Sequence, residues 1–235
     1  LPSTNSLNRT INYASIHVGT RPVIGVGNFT NEPAFTIGDW VRQFILAPPF
    51  AWRWNRNTTS IPIVANTQDY SKLLVDFGWL EEASINDGSG NIFQLKNRLN
   101  LSEESVQNRP IEIAARLDDD TGNITFRLFP IPEKNYTLNI SYQKSSPIFL
   151  NLTDTWSPIP DYFSYLINQG FLAKVYEFCN DERFLPTMQL FVRQVVAANN
   201  GLDETQLNIF LADTIINSQR NLQSVATAEK PRSRF

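Results

Sequence analysis

The sequence predicts an α+β fold: a helical bundle, with one N-terminal and about three C-terminal helices, carrying an inserted antiparallel β-sandwich or barrel-like domain. Three observations predict it. Apolar residues recur at helical spacing over 32–46 and again from 161 onward. Between about 50 and 150 the spacing changes to period-2 alternation, as on a half-buried strand. Clusters of Asn, Asp and Gly punctuate that middle stretch as turns do. At 235 residues, 42 % hydrophobic and 12 % aromatic, the chain has enough apolar surface for a real core, which excludes wholesale disorder.

Taken in order, the first thirty residues carry Gly19, Pro22, Gly25 and Gly27 without sustained periodicity. They read as an extended arm over 1–31, with a short strand at Pro22–Val26. A helix follows over Glu32–Leu46, with Ile37, Trp40, Phe44 and Ala47 on one face. Pro48-Pro49 ends it, because neither residue can donate a ladder hydrogen bond. Phe50, Trp52 and Trp54 then alternate with Ala51, Arg53 and Asn55, which predicts a strand. A polar turn over 55–59 precedes further alternation at Ile61, Ile63 and Ala65. Leu80–Ile85 is the next strand, ended by Asn86-Asp87-Gly88-Ser89-Gly90. Ile111–Leu117 and Ile124–Phe129 flank a short polar loop and read as a hairpin. Tyr136, Leu138, Ile140 and Tyr142 give the last strand of the insert.

The last third is helical. Asp161–Asn180 is apolar nearly all round, which predicts burial on most sides. Phe184–Ala198 places Met188, Phe191, Val192 and Val195 on one face. Gly201 punctuates, and Asp203 with Gln206 forms a capping pair for a third helix to about Leu222, faced by Leu207, Phe210, Leu211 and Ile215. The expected divisions are therefore the arm (1–31), the bundle (32–49 and 158–222), the β-insert (50–157) and a basic tail (223–235).

The residue inventory argues against most chemistry. One cysteine, Cys179, excludes an internal disulfide framework and a Cys-based zinc site. One histidine, His17, excludes a multi-histidine metal centre within the chain, and its polar setting reads as exposed or interfacial. Late in an apolar helix, Cys179 reads as a small buried hydrophobe. Asp118-Asp119-Asp120 lacks the alternating acidic spacing of a calcium loop and reads as the hairpin turn. Gly25 and Gly27 lack the third glycine and following helix of a nucleotide fingerprint. Glu81 and Glu82, adjacent on a strand, point to opposite faces and cannot share a substrate. These readings predict a protein that is not an enzyme and binds no cofactor.

Charge and targeting signals are equally plain. A net charge of −3 gives no global pull toward nucleic acid, and no apolar run is long enough to span a bilayer. The N-terminal stretch lacks the layout of a secretory signal, as a processed chain also would. Eight Asn-x-Ser/Thr sequons and five tryptophans keep a secreted ligand- or carbohydrate-binding β-domain as the reading from a different class. The single cysteine and missing signal weigh against it.

Several segments carry a resemblance when taken together in order. They are Asp39-Trp40-Val41-Arg42-Gln43 running into Phe50-Ala51-Trp52-Arg53-Trp54, then Asn66-Thr67-Gln68-Asp69-Tyr70. Further on come Phe126-Arg127-Leu128-Phe129-Pro130-Ile131-Pro132, Tyr136 through Tyr142, and Pro158-Ile159-Pro160-Asp161-Tyr162 opening the long apolar helix. This order resembles the head-to-tail adaptor (connector, or neck) proteins of tailed bacteriophages, over roughly 33–222. The resemblance implies a structural virion protein of the head–tail neck, assembled in the host cytoplasm. It implies a cyclic homo-oligomer, with a dodecamer expected, that joins the portal protein to tail or nozzle proteins. Such a ring surrounds the DNA channel during ejection and touches double-stranded DNA only transiently and without sequence preference, with no membrane involved. Within this reading the basic tail, with Lys230, Pro231, Arg232, Arg234 and Phe235, is expected to dock on the portal. No catalytic motif carries over. The nearest alternative is another neck, tail-completion or tail-tube ring subunit, against which the C-terminal helices argue.

Overall fold

The computed structural model describes residues 3–19, 31–99, 101, 106–118 and 121–199. It is a mixed α+β chain that divides into two compact units, Leu1–Ile45 with Ile148–Phe235, and Leu46–Pro147.

The first unit holds four described helices: α1 (Leu7–Val18), α2 (Glu32–Leu46), α3 (Ser164–Phe178) and α4 (Phe184–Asn199), with a 3-10 turn at Asp161–Phe163 leading into α3. α1 overturns the extended arm expected over its residues. Ser6 caps it through the Arg9 N–H, and Gly19, at φ +75°, closes it by donating to the Ser15 carbonyl at 2.9 Å. Leu7, Ile11 and Ala14 bury one face at helical spacing. Two described helices thus precede the β-insert rather than one. The helix expected over Asp203–Leu222 and the strand at Pro22–Val26 lie outside the described residues.

α2 has the predicted span, but its buried stripe is rotated. Ala34, Ile37, Val41 and Ile45 are buried, whereas Trp40 and Phe44 are half-buried and stack at 5.2 Å. Residues 148–157, expected in the β-insert, belong to this helical unit. Phe149 and Trp156 are buried there, and the Trp156 N–H donates to the Asn5 carbonyl at 3.0 Å. A buried ionic hub pins the same segment. The Asp39 carboxylate accepts from the Phe149 N–H (2.9 Å) and from Arg42 (3.1 Å), whose guanidinium lies over the Phe149 ring at 3.7 Å.

α3 is the most enclosed of the described helices. Leu166, Ile167, Phe171, Ala173 and Val175 are buried, and Gly170 lets α2 and α4 approach. A Cβ added at Gly170 would lie 2.7 Å from the Phe191 ring and 3.0 Å from Val41. Alanine ordinarily stabilises a helix interior by about 1 kcal/mol over glycine. Here the clash dominates, since overpacking a closed core costs about 1–3 kcal/mol. Gly170→Ala should therefore lower stability by about 1–2 kcal/mol in chemical denaturation; an unchanged or raised midpoint would show that Phe191 yields freely.

The second unit is a nearly closed, barrel-like sheet. Its strands are β1 (Arg56–Ile63), β2 (Asp69–Lys72), β3 (Phe77–Asn86), β4 (Ile92–Asn97), β6 (Glu112–Leu117), β7 (Ile124–Phe129) and β9 (Tyr136–Lys144). They run in the order β1-β9-β3-β4-β6-β7-β2, with a separate two-residue pair, β5 (Gln107–Asn108) and β8 (Ile131–Pro132). Its core is Ile63, Ile85, Ile113, Phe126, Leu128, Leu138 and Ile140 with their neighbours. Where the two edges meet, Lys72 Nζ bonds the Ser60 carbonyl at 3.1 Å and the Thr59 hydroxyl.

The expected hairpin is present, β6 and β7 pairing from Glu112↔Phe129 to Leu117↔Ile124. Its turn closes through Gly122, at φ +68°, whose N–H donates to the Asp118 carbonyl. The insert is not wholly antiparallel, because β4 pairs with β6 in parallel through Lys96↔Glu112 and Asn97↔Ile113. A chain that crosses over between them, rather than turning back, imposes that direction.

Two local readings are corrected. The polar turn expected over 55–59 is mostly β1, which pairs with β9 from Arg56↔Gln143 to Ile63↔Tyr136. Its polar residues line the outer face of an edge strand, where Pro62 is tolerated. Conversely Phe50, Trp52 and Trp54 are not a strand. Phe50 and Trp52 are buried in irregular backbone, because the Gln143 side chain takes up the Trp52 peptide groups.

Candidate interaction surfaces

Among the described residues, no group of three or more His, Cys, Asp or Glu side chains is placed to hold a metal ion, and no helix is long and apolar enough to cross a membrane. Asp118 is turn chemistry: its carboxylate accepts from the Thr121 hydroxyl and its N–H donates to the Asn123 carbonyl. Asp119 and Asp120 lie outside the described residues, as do Gly25 and Gly27. His17 is exposed, its ring 4.8 Å from that of Tyr13. Glu81 and Glu82 are not a carboxylate pair. Glu81 accepts from Arg56 and from Gln143, while Glu82 faces the outer side of the sheet. Cys179, expected to be buried, is exposed, because it caps α3 where the helix has already left the core. The tail residues Lys230, Pro231, Arg232, Arg234 and Phe235 lie outside the described residues.

What the structure does present is apolar surface at both ends of the helical unit. At the start of α3, Tyr162 is 80 % exposed and Tyr165 is also exposed. With Phe163, Gln194, Ala197 and Ala198 they line an open groove of about 410 Å³ beside the C-terminal turns of α4. Among the described residues, Gln194 Oε1 is buried there with no hydrogen-bond partner. At the other end, Phe178 (52 % exposed) finishes α3 and Ile16 (80 % exposed) lies near the end of α1. The Arg183 guanidinium bonds the His17 carbonyl at 3.5 Å and covers the Tyr176 ring at 4.4 Å, tying the ends of α1 and α3 to the start of α4. The helix expected to be apolar all round thus combines a core helix over 166–176 with exposed aromatic residues, Tyr162, Tyr165 and Phe178, toward its ends. Sequence pattern alone does not separate these two kinds of aromatic residue.

The entry to this helix is an electrostatic clasp. The Asp161 carboxylate accepts from the Ser3 hydroxyl (2.8 Å), the Thr4 N–H (3.0 Å) and hydroxyl, and the Asn5 N–H (3.0 Å). These hydrogen bonds, those from Thr4 and Ser3 foremost, hold its pKa far below the ordinary carboxylate range. A carboxylate pKa depressed by folding contributes stability that is complete above its unfolded value, about 3.9, and is lost as pH falls through the folded value. Asp161→Asn should therefore speed hydrogen exchange at the Thr4 and Asn5 amides at pH 7, and variant and wild type should converge in strong acid. Equal exchange at pH 7 would show that the clasp does not hold the N-terminal strand of chain.

No curated protein matches the chain. Residues 14–210, most of its length, match the SU10 adaptor protein family, a family of phage head-to-tail adaptors. The match spans α2, the β-unit, α3 and α4, and starts within α1. On this match, with its helices flanking an inserted barrel-like sheet, the chain belongs to the SU10 adaptor family and is a structural component of a phage virion.

Proposed function

We propose that the protein assembles into a closed ring at the head–tail neck, joins the portal to the tail and encircles the channel through which DNA leaves the head. The observation that carries this reading is the adaptor-family match across most of the chain. Two features agree with it. Apolar side chains stay exposed at two different places on the helical unit, as a subunit meeting unlike faces of its neighbours requires. Residues 225–235 also include a short basic stretch, with Lys230, Arg232 and Arg234, suited to docking on another ring. The role is that of a structural part and not of a catalyst, with many modest contacts multiplied around the ring. DNA passing through a net-acidic ring would be touched only at phosphates and released quickly.

Mass photometry and negative-stain imaging of the purified chain, alone and with portal rings, test this directly. The expected result is rings, or decoration of one end of the portal. A strict monomer that ignores the portal would overturn the proposal, and intact-mass analysis for glycans would then address the secreted-domain reading. Removing 225–235 should abolish portal binding while leaving the fold intact by circular dichroism. Unchanged portal affinity would remove the tail from the docking role.

A further inference from the structure

The barrel-like sheet closes without a ladder. β1 and β2 are its two ends, and side chains bridge the seam between them: Lys72 reaches Ser60, and the Tyr70 hydroxyl donates to the Thr67 carbonyl and accepts from the Val64 N–H. The register fixes which backbone groups face that seam. The Lys144 N–H donates to the Asn55 carbonyl, in register with Arg56↔Gln143, so odd residues of β1 bond to β9 and even ones point away. Thr58, Ser60 and Pro62 therefore present their peptide groups to the seam. On the other side the Leu128 N–H donates to the Gln68 carbonyl, so Asp69 and Ser71 of β2 face it.

An eight-residue edge of this kind is a template for another strand, and the four residues of β2 do not pair with it. Three side chains instead occupy the positions where an added strand would bond. Pro62 has no N–H to offer. The Ser60 carbonyl accepts from Lys72 Nζ at 3.1 Å, and the same ammonium donates to the Thr59 hydroxyl. The Thr58 N–H donates to Asn57 Oδ1 at 2.9 Å, and Asn57 Nδ2 is anchored by donating to the Tyr142 hydroxyl at 3.0 Å. From Thr58 to Pro62, the only seam-facing N–H without a partner among the described residues is that of Ser60.

We propose that Asn57, Pro62 and Lys72 guard this seam, and that without them β1 would pair with β1 of a second copy of this chain. The edge is self-complementary: two antiparallel copies centred on Ser60 set Thr58 of each opposite Pro62 of the other. An N–H at position 62 and a free Ser60 carbonyl would give such a pair an unbroken ladder at its centre. The run Thr58-Thr59-Ser60-Ile61 suits a strand, so the guards, and not weak propensity, withhold the pairing. The device acts within one subunit and holds whether or not the chain forms a ring.

Hydrogen exchange on the full chain reads the seam directly. In the wild type the Ser60 amide should exchange at least about tenfold faster than the Thr59 and Ile61 amides, which donate to β9. Pro62→Thr/Lys72→Met restores the missing N–H and removes the ammonium while keeping its apolar stem. By sedimentation this variant should form species larger than those of the wild type, with the Ser60 amide slowed at least about tenfold in them. Lys72→Arg alone keeps a donor and should sediment as the wild type does. A wild-type Ser60 amide as slow as its neighbours would show that the seam already holds an acceptor and would overturn the proposal. A folded double variant that sediments as the wild type at every concentration would also overturn it, as would larger species whose Ser60 amide stays fast. If the double variant does not fold, Pro62→Thr alone, which removes no side-chain hydrogen bond, tests the same edge. It should self-associate more tightly than the wild type, and equal sedimentation would defeat the guard.

Discussion

Replacing Trp156 with alanine should destabilise the helical unit by about 3–5 kcal/mol, the range for emptying a large aromatic site in a closed core. The residue has no exposed surface and is the largest fully buried side chain among the described residues. Its ring meets Phe149 edge-on at 4.9 Å and Phe171 at 6.4 Å, so it joins the segment after the β-unit to the core helix α3. Its indole N–H donates to the Thr10 hydroxyl at 2.9 Å and so also ties in α1. Deletion removes the apolar contacts and this buried hydrogen bond at once. Phenylalanine should restore most of the packing and leave only the polar part of the loss, about 1–2 kcal/mol. Guanidinium unfolding of the full chain, followed by its helical circular dichroism, measures both. A Trp156→Ala loss below about 1 kcal/mol would mean that the neighbouring rings collapse into the site.

The same residues show where sequence reasoning succeeds. β9 and the β6–β7 hairpin were legible because alternation there is uninterrupted and the turn residues are distinctive. α4 was legible because Met188, Phe191, Val192 and Val195 form one buried face at one period. α1 was not, because only Leu7, Ile11 and Ala14 carry its apolar stripe among Asn, Arg, Thr and Ser, and four glycines or prolines follow closely. Its helix is fixed by tertiary partners that sequence spacing does not reveal. The Leu7 and Asn8 N–H groups donate to the carbonyls of Asp154 and Leu152, nearly 150 residues away.

The interaction surface was less legible than the fold. Tyr162, Tyr165 and Phe178 belong to a run that reads as core, since an aromatic side chain awaiting a partner obeys the same periodicity as one packed inside. Burial separates them, and spacing along the chain does not report it. Gln194 shows the same limit. The burial of its side-chain oxygen without a partner among the described residues cannot be read from its spacing on α4.

Gln143→Leu should destabilise the β-unit by about 2–4 kcal/mol, although leucine is of similar size and more apolar. Gln143 is completely buried near the end of β9 and works as a substitute strand. Its Oε1 accepts from the Trp52 N–H at 3.1 Å, and its Nε2 donates to the Trp52 carbonyl at 3.2 Å and to Glu81 at 2.6 Å. This is why Phe50, Trp52 and Trp54, with the alternation of a strand, settle as irregular backbone: a side chain already occupies the hydrogen bonds that a neighbouring strand would make. Leucine leaves the Trp52 N–H buried without that partner, while the Trp52 carbonyl keeps the Asn55 N–H at 3.0 Å. Gln143→Glu separates geometry from charge. Its carboxylate still accepts from Trp52 but sets a second negative charge against Glu81, so the variant should be less stable than Gln143→Leu at pH 7 and recover as protonation restores a donor in acid. Unfolding followed by tryptophan fluorescence, which in the β-unit comes from Trp52, Trp54 and Trp79, measures both variants. If Gln143→Leu is neutral and Gln143→Glu shows no acid recovery, the Trp52 segment is held by apolar packing alone and the amide is incidental.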